Sequence, residues 1–369
     1  MQPFIKWPGG KQEELKVIIP NMPSKFNRYI EPFVGGGAVY LDIEGANEYL
    51  INDKSEELIN LYQCIKFQDK EFFSKLKSIN HNWILLENIV EKHSDELIEN
   101  YIKFRNDEIS DLNFNNYLIR FIIKNSDELN GLLEADFNIN LKNFISELEK
   151  NLKNKTKRMK KIEKEKGQLS IKDILDNYEA AFKSGFYMHF RHLYNNIDKY
   201  EINKSFATAI FYFIREYCYS SMFRYNKSGG FNVPYGGISY NRKNFKAKID
   251  RLNDQKLVKH LMKTTIESLD FEVFLDKIKP TSGDFIFLDP PYDSDFSTYA
   301  QNKFDQNDQM RLAEYLKRTS AKFMIVIKNT DFIYSLYKDF NIKSFDKKYL
   351  VSFQNRNDKE AEHLLITNY

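Results

Sequence analysis

An apolar run, Phe285-Ile286-Phe287-Leu288, leads directly into Asp289-Pro290-Pro291-Tyr292, and this junction constrains the fold more than any other stretch of the chain. Four bulky apolar residues closed by prolines predict a short buried strand. Open α/β sheets place their ligands beyond the carboxyl ends of such strands. The junction therefore sets a carboxylate, a rigid carbonyl and an aromatic ring at a ligand-binding edge. Two prolines fix φ and remove two backbone donors, leaving the Pro290 carbonyl in a set direction. A planar base with an exocyclic amine suits this trio: Asp289 and the Pro290 carbonyl accept its two hydrogens, and Tyr292 stacks on its face. The plainer alternative is a strand-end turn, which Pro-Pro also marks.

Near the other end, Arg28-Tyr29-Ile30-Glu31-Pro32-Phe33-Val34-Gly35-Gly36-Gly37-Ala38-Val39-Tyr40-Leu41 reads as strand, glycine-rich loop and helix. Glycine lets the backbone turn tightly and approach a ligand closely. A second strand, Tyr49-Leu50-Ile51, ends at Asn52-Asp53. An acid about 20 residues beyond a glycine loop is the usual ribose-hydroxyl ligand of a nucleoside-binding unit. The loop lacks the third glycine of the dinucleotide fingerprint, so an adenosine-containing ligand without a pyrophosphate fits it better than NAD.

Taken in order, Trp7-Pro8-Gly9-Gly10-Lys11, the Glu31-to-Gly37 loop and Asp289-Pro290-Pro291-Tyr292 resemble the class α, Dam-like adenine-N6 DNA methyltransferases. The segment from Arg224-Tyr225-Asn226 to Pro234-Tyr235-Gly236 resembles that family's DNA-reading hairpin. Asp295-Phe296-Ser297-Thr298-Tyr299 with Phe304 resembles the loop after its catalytic motif. Tyr349 to Phe353 and Ala361 to Tyr369 resemble its terminal hairpin. The resemblance covers about residues 1–65 and 186–369. It implies a Rossmann-like S-adenosylmethionine-dependent methyltransferase sheet with a C-terminal antiparallel hairpin, and a mostly helical target-recognition domain with a β-hairpin inserted in the middle of the chain. Residues 1–65 and 266–369 would form the catalytic domain. Residues 66–265 would recognise the target, with a helical insertion over 66–185 and a DNA-reading part over 186–265.

The same resemblance implies roles. Asp289, Pro290 and Tyr292 would be catalytic on an adenine flipped out of duplex DNA. S-adenosylmethionine would be held by Trp7, Lys11, Phe33, Gly35, Gly37, Asp53, Asp270, Phe271 and Asp289. Among these, Asp53 takes the ribose hydroxyls, Lys11 the methionine carboxylate, and Asp270 with Phe271 the adenine ring. DNA would meet Lys6, Tyr219, Met222, Phe223, Arg224 and Asn226. Arg224 is the candidate base reader, because a guanidinium can bond guanine O6 and N7 together. Tyr219, Met222 and Phe223 are candidate wedges. Tyr187 and Arg191 fit the same region but equally suit packing and phosphate contacts. No metal is expected, and the histidines have no ligand spacing.

Apolar residues make up 42% of the 369, enough for a sizeable core, while 29% are charged. No signal segment or membrane-length apolar run is seen, and Cys64 and Cys218 show neither metal nor disulfide spacing, so a cytoplasmic protein is expected. The net charge of +3 is modest. It conceals a local concentration: residues 150–166 carry nine basic side chains against two glutamates. A solvated helix face and a contact to DNA phosphates explain that run equally well. Residues 66–185 show helical periodicity throughout, as in Phe72-Phe73-Ser74-Lys75-Leu76 and Phe144-Ile145-Ser146-Glu147-Leu148. Residues 205–221 predict an aromatic-rich helix, and Phe323-Met324-Ile325-Val326-Ile327 another buried strand.

The expected activity is site-specific adenine-N6 methylation of duplex DNA, as an orphan enzyme or beside a cognate restriction endonuclease, by a monomer without membrane partners. Cytosine-N4 methylation is the nearest rival, since that amine offers the same two hydrogens. An RNA substrate suits the hairpin less well. A catalytically idle DNA-binding specificity subunit is disfavoured by the intact Asp289 and Tyr292. A nicotinamide dehydrogenase is disfavoured by the missing glycine.

Overall fold

A computed structural model of the protein describes residues 1–125, 129, 139–291, 304–348 and 360–369. The chain forms two compact units, one of Met1–Gln68, Phe223–Tyr225 and Leu252–Tyr369, the other of Asp69–Met222 and Asn226–Arg251. The first is a mixed α/β unit built on seven strands: β1 Arg28–Glu31, β2 Glu48–Asn52, β3 Thr264–Glu267, β4 Phe285–Leu288, β5 Lys322–Lys328, β6 Asn341–Lys348 and β7 Glu360–Thr367. Their order across the sheet is β3-β2-β1-β4-β5-β7-β6. The first five run parallel, and β7 inserts antiparallel between β5 and β6. This mixed sheet is consistent with an S-adenosylmethionine-dependent methyltransferase.

Strand order reverses direction between β1 and β4, so the loops beyond their carboxyl ends diverge and leave a crevice. Asp289 follows β4, Pro32 follows β1 and Asp53 follows β2, which puts all three on that one edge. All four residues of β4 and the five from Phe323 to Ile327 in β5 are buried, as expected for strands covered on both faces. The covering helices are α1 Leu15–Asn21, α2 Glu56–Lys66, α10 Gln255–Met262, α11 Phe271–Ile278, α12 Gln306–Arg318 and α13 Asp331–Tyr337. Phe274 and Leu275 of α11 with Leu312 and Leu316 of α12 pack on Ile286 and Ile325 of the sheet.

One expectation needs correction here. The helix after the glycine loop is only a 3-10 turn, Tyr40–Asp42. Ile43 takes extended backbone directly after it, which ends the turn. The terminal antiparallel pair joins Asn341–Lys348 to Glu360–Thr367, while Tyr349 to Phe353 lie outside the described residues.

The second unit is helical: α3 Lys70–Lys92, α4 Ser94–Arg105, α5 Asp111–Lys124, α6 Leu141–Lys166, α7 Ile171–Tyr194, α8 Lys204–Tyr217 and α9 Phe245–Leu252, which ends just past the unit's boundary. Asp69, Ser110, Ser170 and Asn203 cap helices by accepting an amide from the first turn, a contribution of about 1 kcal/mol each. Trp83 of α3 is buried against Phe186, Phe213 and Tyr217. Lys183, fully buried beside them, is neutralised by Glu87 and Glu179 and donates to the Asn241 carbonyl. Burial pushes His189 down to about 3, so this ring is neutral at physiological pH. Cys64 and Cys218 are buried thiols outside any disulfide among the described residues.

Of the nine basic residues over 150–166, six form ion pairs within this unit. Lys160 bonds Asp107 at 2.6 Å and lies over the Phe104 ring, and Lys164 reaches the same carboxylate at 3.3 Å. Lys150, Lys153, Lys157 and Lys161 pair with Glu147, Glu149, Asp111 and Glu165.

The segment expected as a hairpin at 224–236 contains isolated antiparallel pairing among the described residues rather than strands. An isolated antiparallel bridge joins Cys218 to Tyr235. Backbone pairs hold the segment, with the Asn226 amide donating to the Gly230 carbonyl at 2.8 Å and the Tyr219 amide to the Pro234 carbonyl at 2.8 Å. Side chains add to them: Asn226 Oδ1 accepts from the Ser228 and Gly230 amides, and Asn195 bonds both the amide and the carbonyl of Phe231.

Candidate active site

The crevice at the carboxyl edge holds a cavity of about 320 Å³. Its lining brings together Trp7, Lys11, Phe33, Gly35, Asp53, Asp270, Phe271, Asp289 and Pro290, residues from opposite ends of the sequence. Gly37 stands just behind that wall, where a Cβ would come within 2.5 Å of the Tyr62 hydroxyl. Tyr292 lies outside the described residues, as do Asp295 to Tyr299.

The loop geometry follows from its glycines. Gly35 has φ +49°, and a Cβ there would lie 2.8 Å from the Trp7 ring. The bare backbone thus lets Trp7 close over the loop. Tyr62 donates to the Gly35 carbonyl at 3.0 Å, and the Gly35 amide donates to Asp53 at 3.0 Å. The Ser55 amide supplies a second bond to Asp53 at 2.9 Å. Burial lifts the Asp53 carboxyl to about 6, even though both amide bonds pull it down. Each of its oxygens keeps lone-pair capacity for a further donor.

One wall is aromatic. Phe33, Phe271 and Phe304 pack with ring centroids 5.5–5.7 Å apart. Asp270 caps α11 by accepting the Glu272 amide at 3.0 Å, and the same oxygen accepts from Arg311 at 2.7 Å. Burial would raise this carboxyl, but the Arg311 guanidinium and the amide outweigh it and hold Asp270 below the usual carboxylate range. Arg311 also pairs with Glu272 and Asp308 and sits 4.9 Å above the Phe271 ring.

Lys11, expected at the methionine carboxylate, has partners within the protein. Its ammonium, 2% exposed, lies 2.5 Å from Asp289 and also donates to the Gly9 carbonyl at 3.1 Å. A buried ammonium needs an anion, and the carboxylate ending β4 is the one beside it. Glu31 is a further buried carboxyl of the lining. Desolvation raises it well above the ordinary range, with Asp289 and Asp53 adding to the shift and the Tyr29 hydroxyl, 2.6 Å away, opposing it.

Sequence reasoning missed three organising residues. Asn52, 1% exposed, donates to the carbonyls of Pro32 and Leu269 and accepts the Leu269 amide, joining the loops beyond β1, β2 and β3. Its polarity at the end of an apolar strand was the available signal. Arg311 and Gln309 of α12 carried none, because charged and amide residues on a helix are ordinary.

The residues assigned to DNA do not share this cavity, except Phe223. That ring is buried, packs edge-on to Trp7 at 4.6 Å and lines the cavity, so it is not an exposed wedge. Lys6 and Arg224 are exposed. In the helical unit Tyr219 is 49% exposed beside Ser220 and Ser221, both of positive φ, and Met222 is half-buried. Tyr187 and Arg191 both donate to the Val233 carbonyl, which makes them struts of their own unit.

A profile of the D12 class N6 adenine-specific DNA methyltransferases matches residues 7–182 and 135–351. The chain belongs to this family. It is 27% identical to the Type II methyltransferase M.CviBI of Paramecium bursaria Chlorella virus NC1A over the whole of both chains. It is also 27% identical to the Type II methyltransferase M.MjaIII of Methanocaldococcus jannaschii, covering all of this chain and 99% of that one. Similarity to the DNA adenine methylase of Vibrio cholerae is 22%, over 89% of this chain and 81% of the other. The protein is thus an adenine-specific DNA methyltransferase, of a class that generally uses S-adenosylmethionine. No helix among its described residues is long and apolar enough to cross a membrane.

Proposed function

We propose that the cavity binds S-adenosylmethionine and that Asp289 and Pro290 accept the amine hydrogens of a flipped-out adenine at its edge. The observation that carries this reading is the convergence of Asp53, the Phe33–Phe271 wall, Trp7 and Asp289 on one cavity at a sheet's carboxyl edge. The lining suits the donor's parts. Asp53 can accept ribose hydroxyls, the phenylalanines can cover a purine face, and the glycine loop admits close backbone approach. S-adenosylmethionine supplies an electrophilic methyl on a sulfonium.

The remaining chemistry belongs to this chain. The amine lone pair of adenine is delocalised into the ring. Hydrogen bonds to the Asp289 carboxylate and the Pro290 carbonyl favour a tetrahedral nitrogen and stabilise positive charge developing there. One such preorganised group is worth about 10²–10³ in rate. Lys11 at 2.5 Å sets a cation beside the acceptor carboxylate of Asp289. The adjacent ammonium also disfavours Asp289 as the final resting place of the departing proton, which leaves solvent to take it. Arg224 reads a base, Tyr219 and Met222 meet the duplex near the vacated stack, and Tyr292 stacks on the target. The α/β unit carries catalysis and the helical unit target recognition. The enzyme works alone or beside a cognate endonuclease.

Asp289→Asn tests the assignment, since it keeps shape but turns one acceptor into a donor. The variant should bind S-adenosylmethionine within about threefold of wild type in calorimetry and lose at least 10² in single-turnover methyl transfer. Near-normal turnover would remove Asp289 from the mechanism.

A further inference from the structure

Gln309 lies in the first turn of α12 and is fully buried. Its amide nitrogen donates to the Pro291 carbonyl at 3.0 Å, an orientation fixed by the fact that a carbonyl can only accept. Its own oxygen, Oε1, is buried without a hydrogen-bond partner among the described residues. A buried unsatisfied acceptor costs about 1–3 kcal/mol, and an apolar residue of the same shape would avoid that cost. The bond to Pro291 returns only about 0.5–1.5 kcal/mol, so fold stability gains little from an amide here.

The turn that presents Gln309 is itself fixed. Asp305 and Asp308 form a reciprocal capping box at its start. Arg311, two residues on, bonds Asp270, Glu272 and Asp308. The Asp289-Pro290-Pro291 unit is likewise held at its beginning, where Leu288 pairs with Ile325 and Lys11 grips Asp289. Its two prolines have fixed φ, so ψ is the main backbone freedom left. A donor on the Pro291 carbonyl restrains the far end.

We infer that Gln309 is a positioning residue for methyl transfer, holding the Asp289-Pro290-Pro291 turn so that its two acceptors keep their aim. This rests on the reading of Asp289 and Pro290 as the acceptors of the target amine. The residue touches neither substrate nor donor and acts through the Pro291 carbonyl. A loosened turn misplaces the acceptors, and a displacement of about 1 Å can cost about 10²-fold in rate.

Gln309→Met decides the matter, because it removes the donor and the unsatisfied acceptor together at nearly constant volume. We expect a melting temperature equal to or above wild type, affinity for S-adenosylmethionine within twofold, and a single-turnover rate lower by about 10- to 100-fold. Gln309→Glu gives a second readout. Its side chain donates only when protonated, so at saturating S-adenosylmethionine its rate should rise as pH falls below 7, a limb absent from wild type. A wild-type rate in Gln309→Met overturns the inference, as does a loss that disappears when corrected for folded protein. Should Gln309→Met not fold, a Gln309→Glu profile parallel to wild type overturns it instead. Asp289→Asn run alongside separates the two readings: if it is inactive while Gln309→Met is normal, only the role of Gln309 fails.

Discussion

If Asp53 accepts the ribose hydroxyls as proposed, binding of S-adenosylmethionine should depend on pH. Its folded-state pKa of about 6 stands above the ordinary 3.8 because burial outweighs the Gly35 and Ser55 amide bonds. The ionised form has the lone pairs to accept two ribose hydroxyls, whereas a proton occupies one of them. Affinity is therefore full above pH 7 and falls as pH drops through 6. One unit below the pKa about a tenth of the protein is ionised, so the dissociation constant at pH 5 should be about tenfold that at pH 7. Linkage also requires ligand binding to release protons near pH 6. Calorimetry in buffers of different ionisation enthalpy measures both quantities. Asp53→Asn should weaken binding by about 10- to 100-fold at pH 7, the equivalent of one charged hydrogen bond, and flatten the profile. A wild-type affinity constant from pH 5 to 7, or a pH dependence that survives in Asp53→Asn, would refute the assignment.

Two further outcomes concern DNA. Arg224→Ala should relax discrimination at one base pair by about 1–3 kcal/mol while leaving affinity for S-adenosylmethionine unchanged; mapping methylated positions across a randomised duplex would show it, and unchanged selectivity would assign Arg224 to phosphate. Lys160→Met should lower the melting temperature through loss of the Asp107 and Phe104 bonds yet leave the salt dependence of DNA binding unaltered. A shallower salt slope would instead place this lysine on a phosphate.

The parts of the fold that could be read in the sequence are those set by local chemistry. Phe285–Leu288 and the Phe323 to Ile327 run are strands because unbroken apolar residues fit only a covered sheet. The loop after Glu31 is legible because Gly35 and Gly37 occupy positive φ that other residues avoid. The helix expected beyond it is only the turn Tyr40–Asp42, because Ile43 goes straight to extended backbone, which residue type alone does not foretell. Polar partners were illegible for another reason. Lys11 meets Asp289 across 278 positions, Arg311 reaches Asp270 and Glu272 on another segment, and Lys157, Lys160 and Lys164 of α6 pair with Asp111 and Asp107 outside that helix. Such pairings depend on the folded arrangement, and spacing along the chain carries no trace of them. Phe223 shows the same limit, since an aromatic in a DNA-reading motif proved to be a buried wall of the cavity.

The most direct test of the account is the identity of the modified nucleoside. Unmethylated duplex DNA incubated with the protein and methyl-labelled S-adenosylmethionine, then digested and separated by chromatography with mass detection, should carry label in N6-methyladenine, and Asp289→Asn should leave it unlabelled. Label in N4-methylcytosine, or label that persists in Asp289→Asn, would contradict it.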